Sequence, residues 1–231
     1  MPALIAHRGY PRQYPENTLT GLAAAIAHGA RHVEIDVQLS VDGVPVVFHD
    51  ADLQRLCGVA GRITALDLAA IRTLRVGGQP LPTLGEFVRL LQGHADLHAF
   101  VELKQESIDF KGEAAMLAAV ADVLDPVRPR CTLISFNADV LASAHSAGWR
   151  VGWVTGAWPR VLPAALARHL AVWFCDVEAL PAEGRLDGFG VPLAVYEVDD
   201  AGLARQLAAR GAAYVESFDI VGMRRALPAW A

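Results

Sequence analysis

The sequence is short of cysteine, of positive charge and of long apolar runs, and each shortage excludes a class of protein. Its three cysteines, Cys57, Cys131 and Cys175, are far apart and form no CxxC pair. An odd, dispersed set argues against a disulfide framework and reads as small buried hydrophobes in a reducing compartment. The net charge is −5 with no basic stripe, which argues against a nucleic-acid partner. No apolar stretch is long enough to cross a bilayer. The opening residues, Met1-Pro2-Ala3-Leu4-Ile5-Ala6, lack the basic flank and length of a signal peptide, so a cytoplasmic location is expected. Internal repeats, linkers and low-complexity tracts are also missing. What remains is 231 residues, 53% hydrophobic and 19% charged. That describes one α/β domain able to bury a full core without staples. Oligomeric state is not legible.

Short apolar runs alternate with helical patterns along the chain. The runs are Leu4–Ala6, Val33–Leu39, Val44–Phe48, Ala99–Leu103, Thr132–Ser135, Val151–Val154, Val172–Cys175, Leu193–Val198 and Tyr214–Ser217. The first helical pattern starts with Asn17 as its cap, repeats at Leu19, Leu22, Ala23 and Ile26, and stops at Gly29. Others are Leu84–Leu91, Glu113–Leu124, Val140–Ala147, Pro163–Leu170 and Ala201–Arg210, with Gly148 and Gly211 placed to end helices. Strand–helix alternation predicts parallel β/α units, and about eight of them is the size of a TIM-type (β/α)8 barrel. Nine runs for eight places leave one surplus, half of a hairpin turning at Asp42-Gly43. A doubly wound open sheet is the alternative, but no GxGxxG follows the first strand. Residues 51–82 break the rhythm and read as an insertion into a single domain.

The ionisable residues gather at the ends of the early strands, where such barrels place their sites. His7-Arg8-Gly9 follows the first. Glu34 and Asp36 share one face of the second, because strand side chains alternate. His49-Asp50 follows Val44–Phe48, and Glu102 and Lys104 share a face at the fourth run. Glu34, Asp36 and Glu102 form an all-oxygen set that suits a hard divalent cation, Mg²⁺ or Ca²⁺. Arg8 and Lys104 supply charge for a phosphate, and His7 and His49 can exchange protons near neutral pH. Phosphoryl transfer calls for this combination.

Together His7-Arg8-Gly9, Pro15-Glu16-Asn17-Thr18, Glu34-Ile35-Asp36-Val37, His49-Asp50 and Glu102-Leu103-Lys104 resemble the signature of the glycerophosphodiester phosphodiesterases. The likeness continues through Leu53, Arg55, Leu81-Pro82-Thr83-Leu84, Glu86 and Ser135-Phe136, and covers roughly the first 140 residues in order. It implies a TIM barrel with a small insertion. It also implies hydrolysis of a small glycerophosphodiester to sn-glycerol 3-phosphate and an alcohol. His7 and His49 are then the catalytic histidines, and Glu34, Asp36 and Glu102 the metal ligands. Arg8 and Lys104 contact phosphate, while Phe136 and Tyr196 line the substrate pocket. The chain departs from the family at Tyr196-Glu197-Val198-Asp199 and at Ser217-Phe218-Asp219. A related phospholipase or lyase, or a non-catalytic barrel binding glycerol phosphates, are the alternatives.

Other conspicuous residues have structural readings. His28, His32, His94, His98, His145 and His169 read as core or surface histidines, and the tryptophans as packing residues. Asp50 reads as a loop-orienting carboxylate, and Glu16 and Asn17 divide evenly between starting a helix and serving the site. A Tyr196-Glu197 pair at a strand end suits a cationic alcohol, against the simpler reading that Glu197 pairs with an arginine elsewhere.

Overall fold

The protein is described by a computed structural model covering residues 2–159 and 161–230. Its strands are β1 (Ala3–Ala6), β2 (His32–Leu39), β3 (Pro45–Val47), β4 (Arg75–Val76), β5 (Gln79–Pro80), β6 (His98–Leu103), β7 (Cys131–Ser135), β8 (Val151–Thr155), β9 (Leu170–Asp176), β10 (Leu193–Tyr196) and β11 (Tyr214–Ser217). Parallel pairing runs from β1 through β2, β6, β7, β8, β9, β10 and β11, and β11 pairs back with β1. Eight parallel strands therefore close into the expected TIM-type barrel. The surplus run is β3, which pairs antiparallel with β2 in register Val37↔Val47 and Leu39↔Pro45.

Alternation along the strands divides the interior in two. Val33, Ile35 and Val37 of β2, and Ala99, Val101 and Leu103 of β6, face outward into the core shared with the helices. Inside the barrel Ile5, Phe100, Ile134, Val154, Val172, Phe174 and Ala194 pack together. Glycine at 152 is required there. A Cβ on Gly152 would stand 2.6 Å from Val172 Cγ1 and 3.0 Å from Ile134 Cγ2. Val172 and Ile134 are the register partners of Gly152 on the two neighbouring strands, and their side chains fill the space a methyl would take.

The surrounding helices are α1 (Leu19–Ala27), α2 (Gln54–Cys57), α3 (Leu68–Ile71), α4 (Leu84–Gln92), α5 (Gln105–Lys111), α6 (Glu113–Leu124), α7 (Ala138–Ser146), α8 (Ala201–Arg210) and α9 (Ile220–Ala226). Thr83 and Glu86 form a capping box at the start of α4, each side chain bonded to the other's backbone. Residues 51–82 hold α2, α3 and the β4–β5 hairpin. Leu53, Ile63, Ile71, Val76 and Leu81 pack with Val46 and Phe48 in a satellite cluster. No helix among the described residues is long and apolar enough to cross a membrane.

Two helix assignments from the sequence need correction. The Pro163–Leu170 pattern forms turns rather than a helix, although Leu162 and Leu166 are buried as its spacing implies. Its backbone bonds alternate between i→i−3 (Leu166 N to Pro163 O, His169 N to Leu166 O) and i→i−4 (Ala167 N to Pro163 O, Leu170 N to Leu166 O), the pattern of successive turns. The cap of α1 is Thr18, whose hydroxyl accepts from Gly21 N, and not Asn17. Helices α5 and α9 went unseen because each is only seven residues long. His32 and His98 lie at the far mouth of the barrel, where His98 Nε2 is 2.9 Å from Thr132 Oγ1.

Gly152→Ala is expected to destabilise the fold by about 1–3 kcal/mol through overpacking, lowering Tm by roughly 2–10 °C. Thermal unfolding followed by circular dichroism measures this. An unchanged Tm would mean that Val172 gives way at no cost.

Candidate active site

The C-terminal ends of the barrel strands surround a cavity of about 250 Å³ lined by His7, Arg8, Glu34, His49, Glu102 and Lys104. All the sequence-predicted site residues except Asp36 line it, Phe136 and Tyr196 included. Asp36 lies just beneath, 1% exposed, with its carboxylate bound by three of its neighbours.

The turn after β1 is built for close approach. Arg8 and Gly9 both take left-handed backbone, at φ 54° and 94°. A Cβ on Gly9 would stand 2.9 Å from the backbone of Gly21 and Leu22 in α1, so only glycine passes there. His7 is held from the far side of the closure by β11. Its backbone N–H donates to Ser217 O at 3.0 Å, and its ring stacks on Phe218 with centroids 4.4 Å apart.

Pairing of β2 with β6 sets Asp36 opposite Glu102. Lys104 Nζ lies 3.3 Å from Asp36 Oδ1 and 3.0 Å from Glu102 Oε1. Arg8 Nε lies 3.2 Å from Asp36 Oδ2, an ion pair without good hydrogen-bond angles. Asn17, itself at φ 55°, completes the cage: its amide donates to Asp36 Oδ2 at 2.9 Å, and its carbonyl accepts from Asp36 N. Burial opposes ionisation of Asp36, but Arg8 and Lys104 outweigh it and hold the pKa well below the carboxylate range. Burial likewise opposes the Lys104 ammonium, and Asp36 and Glu102 outweigh it, so that pKa is raised.

Glu34 and Glu102 behave in the opposite way. Burial first, then repulsion from Asp36, pushes Glu102 up to about 7. The same causes, with Glu216 adding, push Glu34 well above its ordinary value, and Glu34 Oε1 is buried without a hydrogen-bond partner. One oxygen from each of Glu34, Asp36 and Glu102 lies within 4.8 Å of the others. This set could hold a metal ion, which would relieve the repulsion. His7 is held well below the ordinary histidine value by burial and then by Arg8, and is therefore neutral at neutral pH.

His49 belongs to a chain of charges. Its Nδ1 is 2.7 Å from Asp50 Oδ1. Arg55 of α2 donates from Nε to Asp50 at 2.7 Å, and through its two terminal nitrogens to both oxygens of Glu16 at 2.9 Å. Glu16 then accepts from Arg8 NH1 at 3.0 Å. Asp50 thus orients a ring rather than a loop backbone, which corrects its sequence reading. Glu16 and Asn17 resolve toward the site and not the helix cap.

The sequence reading missed Asp176 and Glu216, both of which line the cavity. Glu216 is 3% exposed, with Oε2 3.9 Å from His7 Nε2 and Oε1 without a partner. The signal was present: Glu216 alternates with outward-facing Val215, which puts it on the inner face of the last strand.

The glycerophosphoryl diester phosphodiesterase family model matches residues 7–154, well over half of the chain. The chain belongs to this family. It is 32% identical over 143 residues to a glycerophosphodiester phosphodiesterase of Caldanaerobacter subterraneus, covering 58% of each protein. It is 34% identical over 110 residues to human glycerophosphodiester phosphodiesterase 1, covering 43% of this chain and 33% of that protein. The match spans about half to three-fifths of the length of the first curated relatives. Among solved structures it resembles a phosphodiesterase of Oleispira antarctica in complex with the product sn-glycerol-3-phosphate. The TM-score is 0.89 at 28% identity, over 99% of this chain and 97% of that one.

The raised pKa of Glu102 gives a family-site test. The folded state binds this proton more tightly than the unfolded chain, whose value is 4.5. The stabilisation is full below pH 4.5 and is lost as pH rises through about 7. His7, depressed below 6.5, carries the opposite slope, so the readout is native minus Glu102→Gln. Without divalent cation the native protein should lose Tm relative to Glu102→Gln between pH 5 and 8, by calorimetry. A constant difference across that range would show that Glu102 ionises without strain.

Proposed function

We propose that this family member is a metal-dependent phosphodiesterase. It hydrolyses glycerophosphodiesters to sn-glycerol 3-phosphate and an alcohol. The observation that carries this reading is the convergence, in one cavity and just beneath it, of three carboxylates within 4.8 Å, two cations and two histidines. The family membership, and the glycerol-phosphate product in the Oleispira relative, support it.

Glu34, Asp36 and Glu102 are the ligands of a Mg²⁺ or Ca²⁺ ion. Their donors are all oxygen, and the unpartnered Glu34 Oε1 gives the ion a ready acceptor. When bound, the cation neutralises phosphate charge and polarises the ester. Arg8 and Lys104 bind the phosphate oxygens and stabilise the charge that develops there. His7, neutral through burial, suits the acceptor's part: it takes the proton of the attacking hydroxyl or water as the new P–O bond forms. His49 hands a proton to the departing alcohol oxygen as the old P–O bond breaks, with Asp50 fixing its Nδ1 and leaving Nε2 for the substrate. Asp36 keeps Arg8 and Lys104 in place until substrate arrives.

The decisive assay is release of sn-glycerol 3-phosphate from a panel of glycerophosphodiesters, with a chelator control. Release should stop with chelator and return with Mg²⁺ or Ca²⁺. Glu34→Ala, Asp36→Ala and Glu102→Ala should abolish it, while His7→Ala and His49→Ala should each cost on the order of 10²–10⁴ in turnover with metal affinity intact. Full activity in any carboxylate variant would overturn the ligand assignment, and metal loss in His49→Ala would overturn the division of roles.

Arg55 should matter although it is 53% exposed and touches no substrate group. Arg55→Ala unties Asp50 from Glu16 and should lower kcat by roughly tenfold, with little change in KM. Arg55→Lys should recover only part of the loss, because the planar fork that spans two carboxylates is gone. Equal kcat in native and Arg55→Ala proteins would mean that His49 is held without the network.

A further inference from the structure

The lining cations all stand on one side of the cavity, beside Glu34 and Glu102, and the far side carries carboxylates alone. Arg8, Lys104, His7 and His49 come from the side formed by β1, β2, β3 and β6. The opposite wall is built by the ends of β9, β10 and β11, and its lining charges are Asp176, Glu197 and Glu216. Among the described residues, neither Asp176 nor Glu197 forms an ion pair with a lysine or arginine. Among the described residues Glu197 therefore has no arginine partner of the kind its sequence reading favoured. Glu216, at the foot of the wall, is 97% buried by its 3% exposure and leaves Oε1 unpartnered toward the cavity. Aromatic rings accompany the carboxylates, Tyr196 on the same wall and Phe136 just past the end of β7. Tyr196 is pinned by its hydroxyl, which donates to Thr155 O at 3.1 Å, and Phe136 is 49% exposed at the rim.

The backbone aims Glu197 at this wall. Successive strand residues face opposite ways, so Tyr196 and Glu197 could not both reach the cavity if β10 continued. The strand ends at Tyr196, Glu197 turns into left-handed backbone at φ 65°, and both side chains line the cavity. That conformation is unfavourable for a residue with a Cβ. Negative charge also reaches the Tyr196 phenol, whose pKa is raised by burial first and then by Asp176, with Glu102 and Glu197 adding.

We propose that this wall, through Asp176, Glu197 and the Tyr196 and Phe136 rings, selects diesters whose leaving alcohol carries an ammonium group. The inference rests on the proposed hydrolase reading. A diester of an amino alcohol is anionic at phosphate and cationic a short carbon chain away. Arg8 and Lys104 take the first charge, and the wall takes the second by ion pairing and by the faces of the rings. A neutral polyol would meet the same carboxylates as hydroxyl acceptors only, and an anionic alcohol would be repelled.

The test compares kcat/KM of the metal-loaded protein on the glycerol phosphodiesters of choline, ethanolamine, inositol and serine. Choline and ethanolamine should exceed inositol by roughly five- to tenfold, with serine below both. In Glu197→Gln and Asp176→Asn, both close in shape to the native residues, the choline-to-inositol ratio should fall toward one, chiefly through KM. Added salt should shrink the native ratio in the same direction. Equal native rates on all four, preference for inositol, or a ratio unmoved in both variants would overturn the inference and leave the hydrolase standing. Turnover of none of the four would overturn both.

Discussion

The carboxylate of Asp36 sits almost without solvent at the mouth of the barrel, held by Arg8, Lys104 and the amide of Asn17. A charge in that position is tolerated only with its partners in place, and loss of one leaves the others buried and unpaired, at a cost of several kcal/mol. Each partner comes from a different segment: the turn after β1, the loop before α1, and the end of β6. The left-handed backbone at Arg8, Gly9 and Asn17 follows from this convergence, since three segments must bring side chains to one carboxylate. Strain at those residues is offset by the ion pairs and hydrogen bonds they make.

Around this cage the other acids are poised differently. Asp36 is fully ionised and spoken for, whereas Glu34 and Glu102 are pushed toward their protonated forms by burial and by Asp36 itself. Like charges held close in low dielectric cannot all ionise without a counter-charge. Lys104 supplies part of it to Asp36 and Glu102, whereas Glu34 forms no ion pair with a lysine or arginine among the described residues and accepts only the Arg8 backbone N–H, at 3.3 Å. In the proposed reading a cation at Glu34 and Glu102 would supply the missing counter-charge, with Arg8 and Lys104 left nearby for phosphate. Closure of the barrel adds a second constraint. Pairing of β11 with β1 sets Ser217 and Phe218 against His7 and drops Glu216 beside it, so the last strand helps hold a residue of the first.

The segment 51–82 contributes through one side chain. Its satellite cluster fixes α2 on the rim, and Arg55 bridges Glu16 and Asp50 from there. An exposed arginine in a single ion pair contributes little. Here the fork joins two carboxylates that in turn orient Arg8 and His49, so its effect is on geometry rather than on stability. The two halves of the site, one on the barrel and one on the β2–β3 hairpin, are coupled through it.

Much of this was legible in residue order. Strand–helix alternation determined the barrel, and the surplus run beside Asp42-Gly43 determined the hairpin, because both rest on local periodicity and turn chemistry. Glu34 with Asp36, and Glu102 with Lys104, announced a shared face because strand side chains alternate with a period of two. Periodicity misled at Pro163–Leu170, where apolar spacing survived but the backbone bonds form turns and not a regular helix, and at Asn17, whose side chain left the helix start to serve Asp36. The opposite wall was the hardest part to read. Asp176 lay at the end of a run that looked purely apolar, Glu216 had no motif around it, and Glu197 faces the cavity only because its strand stops one residue earlier. The sequence by itself determined which groups could do chemistry, since that depends on residue type and on spacing along one strand. Only the tertiary structure decided which of them meet, because distances across a closed barrel are set by strand register and by the last strand returning to the first.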